Sequence, residues 1–177
     1  MCLEALTSIV EDEEQRVTAL KSLGLTDIIL EIMVKYADKV KIQVAALQVL
    51  VVLARPLGGR EGMIFPRSHL NSLGIFCDPQ NGISIILDSM KCFHHHAEMQ
   101  AMGCWSMVNL ALVPTQRTKL LQSGAINVVL NAMGQHKHDQ MVQFRALFAL
   151  INLVIPCKFF PYLSSNCSLI FYMHFRY

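Results

Sequence analysis

Three stretches of this chain, residues 30–52, 87–109 and 130–152, can be laid over one another without a gap. Each opens on a Leu (Leu30, Leu87, Leu130) and carries Met three residues later (Met33, Met90, Met133). Each has a small residue six before its final position: Ala46, Gly103 and Ala146. Two helical patterns per unit, at a period of about 40 residues, are the mark of a helical solenoid. Such a chain stacks short units that cannot each bury an apolar face alone, and it folds into an all-α array with one long surface. That constraint favours a binding surface over a catalytic pocket.

The last unit shows the pattern most clearly. Residues 116–124 read as a short helix stopped by Gly124. A second helix follows over 125–133, with Ile126, Val129, Leu130 and Met133 at helical spacing. Residues 134–139 form a polar break, and Asp139 is placed to cap the next helix. The third helix runs to about Val154, with Phe144, Leu147, Phe148, Leu150 and Ile151 apolar, and Pro156 ends it. The first unit repeats this order at 15–23, 26–35 and 39–54, after an acidic run at 11–14. Before it, residues 3–10 read as the tail of an earlier third helix.

The middle unit is interrupted. Leu30 to Leu87 is 57 residues, whereas Leu87 to Leu130 is 43, and the excess flanks a short helical pattern at 67–74 in Gly- and Pro-rich sequence. The expected organisation is therefore 1–13, the end of a partial repeat; 14–55, a repeat; 56–111, a repeat with insertions; 114–155, a repeat; and 156–177, an atypical apolar tail. The abrupt start, the insertions and the tail together read as a truncated or alternatively spliced form of a larger repeat protein.

Composition narrows the function classes. Hydrophobic residues make up 53% and charged residues 16%, with a formal net charge of +2 and no Lys/Arg block, so nucleic acid is not an expected partner. No apolar run is long enough for a transmembrane helix, and the N-terminus lacks the basic segment of a secretory signal. The six cysteines have no paired spacing and read as reduced thiols of a cytosolic or nuclear protein, with Cys104 in the core. His94, His95 and His96 fall in the same turn as His136 and His138 one repeat later, without the spacing of a zinc site, and read as polar turns. There is no Gly-rich phosphate loop, nucleophile elbow or His-Glu-x-x-His. No catalytic residue, metal, cofactor or small-molecule substrate is therefore assigned.

Residues 124–130 (Gly-Ala-Ile through Leu130), followed by 146–153 (Ala-Leu-Phe-Ala-Leu-Ile-Asn-Leu), resemble the armadillo repeat. Residues 82–87 with 103–111 look like a second copy, and 15–54 like a third, more divergent one. The resemblance implies a right-handed α-solenoid of three-helix repeats, here a fragment with three repeats and a partial one, whose third helices line a concave groove. In that family an Asn on the third helix often holds the backbone of an extended partner peptide, flanked by an aromatic four residues earlier. The matching positions are Asn109 and Asn152, with Trp105 and Phe148, and residues 105–109 resemble the Trp-x-x-x-Asn element of nuclear-import adaptors. The first unit departs from this, with Gln48 and Val52 at those positions, and the partial unit offers Ser8.

The chemistry suits that role. A side-chain amide donates and accepts, so it can pair with a passing peptide unit whatever its sequence. Residues four apart share a helix face, which sets Trp105 beside Asn109 and Phe148 beside Asn152. Arg145, seven before Asn152, lies on nearly the same face and can attract an acidic partner. The expected peptide-binding residues are thus Trp105, Asn109, Arg145, Phe148 and Asn152, on the open wall of a protein-interaction module. The alternative is a structural or regulatory repeat array of a larger multidomain protein, with no groove ligand.

Overall fold

A computed structural model of the chain describes residues 2–12, 15, 24–54 and 82–155. Every regular element among them is a helix: α1 Cys2–Val10, α2 Leu25–Lys35, α3 Val40–Leu53, α4 Gly82–Cys92, α5 Ala97–Leu110, α6 Pro114–Gln122, α7 Ala125–Gln135 and α8 Gln140–Val154. The all-α class expected from the periodicity is what the described residues adopt. The short helices expected at 15–23 and 67–74, the insertions and the tail at 156–177 fall outside the described residues, Gln15 excepted.

The ends of the helices have local causes. Gly24 (φ 56°) and Gly124 (φ 78°) hold the left-handed conformation immediately before α2 and α7, where a Cβ is disfavoured. Pro114 starts α6 two residues earlier than the sequence pattern indicates, at the first helical position, where a missing N–H costs nothing. Asp139 Oδ1 accepts from Val142 N at 2.9 Å and caps α8, as expected, while His96 Nδ1 does the same for α5 from Met99 N at 3.3 Å. The break expected from residue 134 begins two residues later, because α7 carries Gly134 within its last turn. Ile155 is extended (φ −95°, ψ 110°), the conformation that the following proline imposes.

The helices pack in two series. Within each unit α2 lies on α3, α4 on α5 and α7 on α8. Between units α1 packs on α3, α3 on α5 and α5 on α8, while α2 packs on α4 and α4 on α7. α1 therefore takes the place of a third helix preceding the first unit. α5 is flanked on both sides and is buried at every residue from Met99 to Leu110. Its Gly103 is required by close approach, because a Cβ there would run into Sδ and Cγ of the fully buried Met90.

One hydrogen-bond pattern recurs in all three units. Gln43 Nε2 donates to Met33 O (2.8 Å) and Tyr36 O (2.9 Å). Gln100 Nε2 donates to Met90 O (2.9 Å) and Phe93 O (3.0 Å), and Gln143 Nε2 to Met133 O (2.9 Å) and His136 O (3.0 Å). An amide nitrogen has two N–H groups, and here each takes one carbonyl from the last turn or the end of the preceding helix. Gln43 Oε1 further accepts from Ser89 Oγ at 2.7 Å, tying the first unit to the second.

Two outcomes follow. Gln100→Ala removes the donor shared by two carbonyls and lowers stability by about 2 kcal/mol in urea unfolding, more than Gln143→Ala, whose site is only half-buried. Gly124→Ala forces a Cβ into the left-handed region and costs about 1–2 kcal/mol in the same measurement, with no steric clash to add to it.

Candidate protein-interaction surface

The five residues expected to bind a peptide do come together, on the neighbouring helices α5 and α8. Met102, Trp105 and Asn109 of α5 occupy the same register as Arg145, Phe148 and Asn152 of α8, each pair 43 residues apart. Stacking equal registers brings these sets into contact. The Arg145 guanidinium lies 5.4 Å from the centre of the Trp105 ring, and its Nη1 is 2.9 Å from Met102 Sδ. The Phe148 ring packs at 4.6 Å, tilted by 42°, on Phe144 one turn earlier.

The asparagines form rungs between units. Asn109 Nδ2 donates to Val51 O at 3.1 Å, and Asn152 Nδ2 to Val108 O at 3.3 Å. Both acceptors lie in the last turn of the preceding third helix, where carbonyls lack intrahelical donors. At Val52, the same register in the first unit, the side chain has no amide, so no such rung is possible there.

Exposure separates the two sets. Trp105 and Asn109 were expected on an open groove wall, but Trp105 is 5% exposed and Asn109 0%. The reason is their position in the central unit: α3 and α8 flank α5, and Arg145 closes over the indole. Asn109 Oδ1 is buried and accepts no hydrogen bond from the described residues. Arg145, Phe148 and Asn152, on the last described helix, are half-buried and share one face at positions i, i+3 and i+7.

The electrostatics follow from burial. Removal from water pushes the pKa of Arg145 down, and Cys104 and then Glu98 act in the opposite sense. A guanidinium remains charged despite such a shift. No carboxylate among the described residues lies within ion-pair distance of Arg145; Glu98 is a neighbour, not a partner. Burial pushes the Cys104 thiol up to about 12, against a smaller opposing effect of Arg145. Such a thiol is a core group and not a nucleophile.

The two histidine turns also meet, with His136 Nε2 2.8 Å from His94 O. Among the described residues no three His, Cys, Asp or Glu side chains are grouped so as to hold a metal ion. No helix of the described residues is long and apolar enough to cross a membrane. Sequence reasoning missed Met102 as the neighbour of Arg145 and the carbonyls that the asparagines reach. The common register of Met102 and Arg145 was the available signal.

Compared with known proteins, the chain matches no family, no curated protein and no solved structure.

The burial of Cys104 makes stability pH-dependent in a definite sense. An unfolded thiol titrates near ~8.5, whereas the folded one keeps its proton to about 12. The folded chain therefore binds the extra proton, and stability is lost as pH rises through that interval, by about 1.4 kcal/mol per unit. Urea titrations at pH 8 and about pH 10 should differ by roughly 2 kcal/mol, and Cys104→Ala should remove that part of the slope. At pH 8 a thiol reagent should modify the exposed Cys92 and leave Cys104 intact in the native state, as read by mass spectrometry.

Proposed function

We propose that the chain is an armadillo-type solenoid fragment serving as a non-catalytic protein-interaction module, with an extended peptide segment as its ligand. The solenoid reading is supported by the glutamine fork at the same register of all three units and by the unit-to-unit packing of the third helices. A reducing compartment, the cytosol or the nucleus, suits the free thiols of Cys2, Cys92 and Cys104.

One observation carries the binding reading. Arg145 is a half-buried cation stacked on Trp105, with no carboxylate partner among the described residues, in line with the half-exposed Phe148 and Asn152. A guanidinium in that setting gains from an incoming carboxylate, because the partner restores in two parallel hydrogen bonds what burial removed. Phe148 offers an apolar wall beside it. Asn152 gives one of its two amide N–H groups to Val108 and keeps the other, with the Oδ1 acceptor, for a peptide unit. In this reading Trp105 and Asn109 support the surface from behind: the indole holds the guanidinium, and the amide holds the stack.

The second reading is a structural array without a groove ligand. The observation in its favour is that both asparagine amides already serve the preceding helix.

Affinity capture with the full chain, against Arg145→Ala combined with Phe148→Ala, separates the two. The binding reading expects captured proteins to fall away while helical content holds and a cooperative melt is kept, at a somewhat lower temperature because Phe148 packs partly on the core. A bidentate charged contact is worth about 1.5–3 kcal/mol, roughly ten- to a hundredfold in affinity. Undiminished capture by a folded variant sinks the peptide surface and leaves the structural array.

A further inference from the structure

The contact between Arg145 of α8 and Met102 of α5 is chemically one-sided. Arg145 Nη1 donates to Met102 Sδ at 2.9 Å, while the guanidinium lies over the Trp105 ring. A guanidinium carries several N–H donors and no acceptor, whereas a thioether sulfur is a weak acceptor. No carboxylate among the described residues lies within ion-pair distance of Arg145. A strong, half-buried donor therefore faces a weak acceptor. The contact belongs to this pair of units: α3 carries Ala45 at the register of Met102 and Arg145, so α3 and α5 cannot form it.

Access separates the methionines. Met99 and Met107, on the same helix as Met102, are 0% exposed, whereas Met102 is 9% and Met141 44% exposed. Within α5, Met102 is the sulfur that a small oxidant reaches first. Oxidation turns a thioether into a sulfoxide, which disrupts a core because its polar oxygen has no donor there. At Met102 the donor is already in place.

From this we infer that Met102 is a site of oxidation by hydrogen peroxide, and that Arg145 receives the sulfoxide oxygen. A sulfur lone pair attacks one peroxide oxygen. The S–O bond forms as the O–O bond breaks, and the departing oxygen takes up the proton of the attacked one and leaves as water. The sulfur is oxidised and the peroxide reduced by the same electron pair. The new oxygen then accepts a charge-assisted hydrogen bond from the guanidinium, in place of the weaker one to sulfur. The sulfoxide is held between α5 and α8 instead of being expelled from their contact. This site stands whether or not the neighbouring surface holds a peptide.

Peroxide titration of the native full chain, read by peptide-mapping mass spectrometry, tests the site. Met102 should be oxidised after Met141 and at least about tenfold faster than Met99 and Met107. Oxidation of Met102 no faster than those two overturns the inference. Thermal melts test the part of Arg145. The effect of Met102 oxidation is the fall in melting temperature on peroxide treatment beyond that of Met102→Leu treated alike, which subtracts the other methionines. With Arg145 in place that difference should stay within about 2 °C, and in Arg145→Leu it should reach about 4 °C or more, since the oxygen loses its donor. Equal losses in the two backgrounds overturn the pairing of the sulfoxide with Arg145. Trp105, the only Trp, reports the same event without a change at Arg145. Its emission should shift on peroxide treatment of wild type, as the guanidinium over its ring turns to the new oxygen, and stay fixed in Met102→Leu. An unshifted emission once Met102 is oxidised also overturns the pairing.

Discussion

Gln43, Gln100 and Gln143 each tie the third helix of a unit to the C-terminal end of its second helix. One nitrogen with two N–H groups reaches two carbonyls three residues apart, in the last turn or at the end of the preceding helix, that have no other side-chain donor among these contacts. Gln43 and Gln100 are buried, so the geometry is held in surroundings where water does not compete. The same fork recurs at one register of all three units, beside the close fit of Gly103 against Met90 and the asparagine rungs from Asn109 and Asn152.

Stacking in register makes the candidate surface a property of neighbouring units and not of any one helix. Met102 meets Arg145, and Trp105 meets the same guanidinium, because each belongs to the matching face of the next unit. Position in the series then decides what a residue does. Trp105 and Phe148 occupy equivalent sites, but the first is enclosed by helices on both sides and the second has α5 on one side only. Leu87 and Leu130 differ in the same way, and that difference defines the ends of the stack.

Much of the fold was legible before any coordinates. Spaced aliphatic residues placed α2, α3, α7 and α8 to within a residue or two, and Asp139 was readable as a cap because a carboxylate before an apolar helical run has little else to do. The glutamine fork was not legible in one unit, since a polar residue near a helix start reads as solvated. Only the alignment of the units reveals that Gln43, Gln100 and Gln143 coincide. For the candidate surface, the sequence placed Trp105, Asn109, Arg145, Phe148 and Asn152 on matching faces, but it could not supply their exposure. Helical spacing tells which residues share a side and says nothing of what lies against that side.

The sequence by itself determined the helical class, the repeat register and the residue types on each face, because those depend on periodicities of about 3.6 residues and of about 40 residues written into one chain. Only the tertiary structure decided which of those faces remain open. Burial is a relation between units: the same leucine is core at position 87 and surface at position 130, since α7 packs on α4, which carries the first, and no described helix takes that place against α7, which carries the second. For the same reason Asn109 is enclosed and bonded to Val51, while Arg145 and Phe148 remain partly exposed on the last described helix.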